Sequence, residues 1–154
     1  MLAQMDFPQT KVTTELNRIG VDWEELPTDQ HRDWLRRWVA IYNEFYSPER
    51  RRLRGARAVA EAQSLLEGSF VLIPCRDPSS KGWNAVGTAY HCHGEVLPDL
   101  TEVSHLVDTI ISPEDLSWTL LYGHEVDVFG GPDYSRADWH SPASPERAMK
   151  RQWD

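Results

Sequence analysis

The sequence predicts an α+β domain of two layers, with N-terminal helices packed on a small, mainly antiparallel sheet. Three observations carry this. Apolar residues recur at helical spacing as far as Leu66; beyond Gly68 they fall into short runs and alternations; and the two regimes follow one another instead of interleaving. A chain of 154 residues is one domain's worth and can bury a core without disulfide or metal staples. We read 1–140 as that domain and 141–154 as a tail, in which Ser141–Ser144 is a linker and Ser144-Pro145-Glu146 can start a short helix.

Taken in order, Thr13–Leu26 reads as a weak helix through Leu16, Ile19 and Val21, broken at Gly20 and ended by Pro27. A strong helix follows, capped by Thr28 or Asp29, with Trp34, Leu35, Trp38, Ile41, Tyr42 and Phe45 on its apolar face. Ser47-Pro48-Glu49 has the chemistry of a helix start, and a helix is expected from there to Leu66 unless Gly55 interrupts it. Ser69–Cys75 is a buried strand, Arg76–Lys81 a turn, and Trp83–Cys92 the next strand, with Val86, Tyr90 and Cys92 on one face. Asp99-Leu100-Thr101-Glu102 resembles a capping box, so a helix is expected with Leu100, Val103, Leu106, Val107, Ile110 and Ile111 buried. Leu116–Glu125 is a strand in which Trp118, Leu120, Tyr122 and His124 share a face. Val126–Phe129 continues it or begins the return, and Gly130-Gly131-Pro132 enforces a turn.

Composition narrows the function classes. No apolar stretch approaches membrane-spanning length, and Met1–Thr10 lacks the charged and apolar regions of a signal peptide. Two cysteines, Cys75 and Cys92, suggest free thiols in a reducing cytoplasm. A net charge of −8 argues against direct nucleic-acid binding. Charge is also unevenly spread. Residues 28–60 hold eight arginines against four acids, a net of +4, whereas residues 82–135 hold nine acids and no Lys or Arg. That asymmetry is met either by internal pairing or by an acidic face steering a basic partner. The face would draw on Asp99, Glu102, Asp108, Glu114, Asp115, Asp127 and Asp133.

Three clusters bear chemistry. His91 and His93 lie two apart on a strand, so both imidazoles face one way and can grip a zinc-like ion, with His124 and Glu125 as further donors. Against this stand two ordinary strand histidines, and a core histidine at position 124. The run Arg50-Arg51-Arg52-Leu53-Arg54 can hold phosphate or an acidic partner, but a helix spreads it around its circumference, which favours a solvated helix start. Trp34 and Trp38 fit a core, or a helix face that oligomerises; Trp139 and Trp153 either dock back on the domain or anchor an interface. No nucleophile elbow, metalloprotease helix or phosphate-cradling glycine loop is present, and Cys75 and Cys92 lack redox spacing.

The block Trp118-Thr119-Leu120-Leu121-Tyr122-Gly123-His124-Glu125, followed by Gly131-Pro132-Asp133-Tyr134, resembles the C-terminal signature of a family of small uncharacterised bacterial proteins: W-T, four residues, H-E, then G-P-aromatic. The helix 29–45 and the helix expected before the block are similar to that family's too, so the likeness spans most of 14–134. Gly123, and Asp133 between Pro132 and Tyr134, depart from the pattern. The resemblance implies a bacterial or phage source, a compact α+β fold, no catalytic residues to carry over, and a link to toxin-immunity-like proteins. The expected function is therefore a non-catalytic, immunity- or inhibitor-like cytoplasmic domain that needs no cofactor and docks a basic protein. Its alternatives are a zinc-like hydrolase using His91, His93 and His124, and a regulatory or structural subunit.

Overall fold

The computed structural model describes residues 9–76, 83–103, 107–123 and 130–139. Helix α1 (Gln9–Arg18) is followed by β1 (Asp22–Glu25), α2 (Thr28–Tyr42), β2 (Leu53–Arg54) and α3 (Ala56–Leu65). Then come β3 (Ser69–Arg76), β4 (Asn84–Ala85), β5 (Tyr90–His93), β6 (Asp108–Ser112), β7 (Trp118–Tyr122), β8 (Asp133–Arg136) and a 3₁₀ turn at Ala137–Trp139. The strands form one antiparallel sheet in the order β1-β5-β3-β6-β7-β8-β2, with β4 paired to β3. The α+β class and the placing of helices ahead of most strands are as the sequence predicts.

The helices divide between the two faces of the sheet. Strand periodicity explains how. Phe70 and Leu72 of β3 face one way and join Val12 and Leu16 of α1, Ala58 and Ala62 of α3, and Trp118, Leu120 and Tyr122 of β7. Val71, Ile73 and Cys75 face the other way and join Leu35, Trp38 and Tyr42 of α2, with Ile110 and Leu121. Because both faces are covered, β3, β6 and β7 are apolar or buried almost throughout, as doubly covered strands must be.

Polar groups sealed under α2 find partners. Trp38 Nε1–H donates to Thr119 Oγ1 at 2.9 Å, Ser112 Oγ donates to the same oxygen at 2.9 Å, and the Tyr42 hydroxyl donates to the Leu116 carbonyl at 2.7 Å. His31 is bonded through Nε2 to the Pro74 carbonyl at 2.8 Å; burial holds its pKa below the usual range, so it stays neutral and donates there. The Trp38 face is thus turned onto the sheet and is not a free oligomerising surface.

Several local expectations are corrected. Residues 22–25 form an edge strand, not the end of a helix, because backbone pairing with β5 outweighs a weak helical pattern. Pro27 takes the N-cap of α2, with no side-chain cap among the described residues, instead of Thr28 or Asp29. No helix runs from Ser47, because residues 47–50 are turns and bends and Leu53–Arg54 is strand β2. The helix starts after Gly55, its N-cap at φ 71°, where an added Cβ would meet the Gly130 carbonyl oxygen at 2.7 Å, and a Cβ on Gly131 would meet Gly55 Cα at the same distance. Two segments of the chain cross there on bare backbone. The expected Trp83–Cys92 strand is two short strands. Among the described residues no helix follows Asp99; its carboxylate instead accepts from the Thr101 N–H and hydroxyl, and 108–112 is strand β6. Residues 77–82, 124–129 and 140–154 lie outside the described residues, and with them most of the turn expected at 76–81, the continuation at 126–129 and the tail. Among the described residues no helix is long and apolar enough to cross a membrane.

The arginine run is not a solvated helix start. Arg50 has a fully buried side chain whose guanidinium donates to Glu44 Oε1 at 2.6 Å, the Ile41 carbonyl at 2.9 Å, the Arg136 carbonyl at 2.9 Å and Ser135 Oγ at 3.2 Å. Arg54 pairs with Asp133 at 2.9 Å, Arg52 bonds the Phe45 and Ser47 carbonyls, and Arg51 lies over the Trp139 ring. Trp139 therefore docks back on the domain, edge-on to Tyr134.

Two predictions follow from this burial. Replacing Arg50 by Met removes every donor of the clamp and leaves the Ile41 and Arg136 carbonyls without its guanidinium; the urea midpoint should fall by the equivalent of about 3–5 kcal/mol. Burial also pushes the phenols of Tyr90 and Tyr134 up to about 12 and raises those of Tyr42 and Tyr122 further. Unfolded tyrosines ionise near pH 10, so the stability these four supply is complete below about pH 10 and lost as pH rises through 12. Their phenolate absorbance at 295 nm should appear together with loss of the far-ultraviolet dichroism, not ahead of it.

Candidate functional site

Antiparallel register places chemistry at the ends of the sheet. At one end lie the start of β1, the end of β5, the start of β3 and the β6–β7 turn. Asp22 pairs with His93, His93 with Ser69, and Ser69 Oγ donates to Glu114 Oε2 at 2.8 Å. The β6–β7 turn is tight: Leu116 N–H donates to the Pro113 carbonyl, Ser117 N–H to Asp115 Oδ1, and buried Leu116 adopts φ 60°, a conformation rare for a branched side chain. Packing of Leu116 against α2 and the Tyr42 hydrogen bond hold it there, which fixes Glu114 and Asp115 at the tip. Glu67 and Glu95 flank the same end, since Gly94 N–H bonds the Gly68 carbonyl and a surface groove is lined by Glu67, Ser69, Glu114, Asp115 and Arg136.

This end therefore collects Asp22, Glu24, Glu67, Glu95, Glu114 and Asp115 from separate stretches of chain, all exposed except half-buried Glu114. Of the cations near this end, Arg136 has its own carboxylate, Asp138, at 3.5 Å, and Arg50 is buried against Glu44. Repulsion among these acids is tolerable because solvent screens the exposed ones.

The acids expected to form a partner face do not lie together. Glu114 and Asp115 are at the end just described. Asp133 is at the opposite end, about 13 Å away along β7 at ~3.3 Å per residue, and is engaged by Arg54. Asp99 and Glu102 share a groove with Lys11, Glu15 and Arg18, where the Arg18 hydrogen bond holds the Glu15 carboxyl below its usual range. Asp108 is only 3% exposed, beside Cys75 in the sheet, and offers no carboxylate to a partner. Asp127 lies outside the described residues. Asp22, Glu24, Glu67 and Glu95 were not singled out from the sequence. Three of them sit outside the 82–135 segment, and the charge count along the chain does not show that folding brings them to Glu114.

His91 and His93 do share a face, their ring centroids 4.4 Å apart. Glu24, directly opposite His91 on β1, approaches His91 Nδ1 at 3.4 Å, and Glu114 approaches Nε2 at 3.6 Å. Neither carboxylate was expected as a neighbour. His124 and Glu125 lie outside the described residues. Cys92 points to the opposite face, where burial pushes its thiol up to about 12. Cys75 is also buried.

What the fold and this end define is an antiparallel α+β domain with a carboxylate-rich sheet end enclosing two imidazoles. Comparison with known proteins finds no matching family profile, no matching curated protein and no matching solved structure. Within the W-T…H-E signature, Trp118–Tyr122 forms β7 and Asp133-Tyr134 opens β8.

One prediction concerns the thiols. With Cys92 protonated and both side chains buried, iodoacetamide at neutral pH should leave Cys75 and Cys92 unmodified in the native protein and alkylate both in denaturant, as read by intact mass.

Proposed function

We propose that the protein is a non-catalytic binding domain, immunity- or inhibitor-like, that docks a basic protein partner on the acidic end of its sheet. The observation that carries this reading is the convergence of Asp22, Glu24, Glu67, Glu95, Glu114 and Asp115 on one rigid end, with Arg136 already answered by Asp138. Such a surface raises the encounter rate of a cationic partner, and carboxylates can stand where phosphates would in a basic cleft. The anchoring of the tip by Leu116 and Tyr42 means little side-chain and loop ordering opposes association.

Of the acids drawn from the sequence, Glu114 and Asp115 serve this surface, and Asp99, Glu102 and Asp133 lie apart from it. The resemblance to the small bacterial family belongs to this reading, as does a cytoplasmic site of action in which Cys75 and Cys92 remain thiols. Partner association should be fast and sensitive to ionic strength.

The test is charge reversal at the two ends of the sheet, with capture from the native host at low and high salt. The variant Asp22→Lys/Glu67→Lys/Glu95→Lys/Asp115→Lys should lose a basic partner retained by the parent protein, by about 100-fold or more in affinity, since juxtaposed like charges cost several kcal/mol. The variant Asp99→Lys/Glu102→Lys should retain it. Equal retention by both, with both dichroism spectra native, overturns the reading.

A further inference from the structure

We propose that Glu24, His91 and His93 form a binding site for a divalent transition-metal ion of the zinc class. The site shares Glu24 and Glu114 with the docking surface but takes its metal-binding chemistry from the two imidazoles.

The strand pairing builds the site. His91 and His93 alternate with Cys92 on β5, so both imidazoles emerge on the α2 side while the Cys92 thiol enters the opposite core. Glu24 stands across from His91 on the neighbouring edge strand. One donor atom from each of the three lies within 4.8 Å of the other two. Zinc binds imidazole nitrogen at about 2.0–2.1 Å and carboxylate oxygen at about 2.0–2.2 Å, so tetrahedral donors sit about 3.4 Å apart. The Glu24 Oε1 to His91 Nδ1 separation of 3.4 Å already matches. Closing the rest needs only rotation of His93 and Glu24, both exposed, about the half-buried His91.

A second observation points to the same ion. His91 Nε2 and Glu114 Oε1 are buried and have no hydrogen-bond partner among the described residues, yet they face one another at 3.6 Å. The imidazole of His91 is thus held between two carboxylates, Glu24 at Nδ1 and Glu114 at Nε2. Glu114 is itself oriented, because its other oxygen accepts from Ser69 Oγ. A proton on Nε2 directed at Glu114 leaves the Nδ1 lone pair beside Glu24, where the ion would sit. A carboxylate behind a ligating histidine fixes tautomer and ring orientation in this way. Glu114 is accordingly a positioning residue and not a ligand. The donor set of two imidazoles and a carboxylate, without thiolate, suits zinc, cobalt(II) or nickel(II) better than calcium or magnesium. With three protein donors, the fourth position of a tetrahedral ion is left for water or a side chain of a partner.

The experiment uses the full chain freed of metal by a chelator and then titrated with zinc chloride by calorimetry and with cobalt(II) chloride by visible absorption. One ion per chain is expected, with cobalt d–d bands of a four-coordinate nitrogen and oxygen site. His91→Ala and His93→Ala should each weaken zinc binding by at least ~10-fold. Glu114→Ala should do so by ~10–100-fold, the usual effect of losing an outer carboxylate, while Glu114→Gln, whose amide oxygen still accepts from Nε2–H, restores most of the affinity. His93 is exposed, so His93→Ala keeps the test decisive if His91→Ala fails to fold. Zinc binding of unchanged strength in His93→Ala, or no saturable binding by the parent protein, overturns the proposal. The residues reversed in the docking test, Asp22, Glu67, Glu95 and Asp115, include no ligand, so either reading can fail without the other.

Discussion

The buried guanidinium of Arg50 is the constraint on which much of this architecture depends. It sits where the C-terminal turn of α2 meets β8, and its donors are shared between carbonyls of both elements, Ser135 and Glu44. Tyr42 packs its ring against the same group and passes its hydroxyl to Leu116. One buried cation therefore reaches, through a single tyrosine, the turn that displays Glu114 and Asp115. A buried ion pair of this kind is poor evidence of net stability, since desolvation opposes the Coulomb gain. Its effect is geometric: α2 can dock against β8 in few other ways without leaving a charge unanswered.

The same clamp resolves the charge asymmetry of the sequence. The arginines of 50–54 are engaged by the chain's own groups, Arg50 buried against Glu44 and the others nearer the surface against Asp133, backbone carbonyls and the Trp139 ring. Internal pairing and an acidic surface are therefore both present: Arg54 answers Asp133 at one end of the sheet, while Arg50 clamps β8 beside the acidic end. The acids at the start of β1, around β3 and β5, and at the β6–β7 tip are not among the partners of that run.

Some of this was legible in the residues and some was not. Thr28–Tyr42 and Ser69–Arg76 announce themselves, because one apolar stripe and one apolar run each have a single physical interpretation. Asp108–Ser112 misleads. A strand buried on both faces has no alternation, and Leu100, Val103, Val107, Ile110 and Ile111 happen to fall at helical spacing. The edge strand Asp22–Glu25 carries almost no strand signal of its own and exists through its pairing with β5. At the site, the shared face of His91 and His93 needs only the two-residue period of a strand. Glu24 and Glu114 reach His91 through strand register and a left-handed leucine, neither of which leaves a trace in local composition.

The position of β1 has a further consequence for how the molecule behaves in a crowded solution. Among the described residues β1 is the outer strand of the sheet, with no strand beside one row of its backbone donors and acceptors. An exposed edge of this kind is a template on which another chain can grow a cross-molecular sheet. Its sequence, Asp-Trp-Glu-Glu, puts a carboxylate at three positions of four, and an approaching copy would lay like charge against like. The other outer strand, β2, is two residues long and too short to nucleate such pairing. The carboxylates of β1 thus set like charge against any identical strand that approaches that edge.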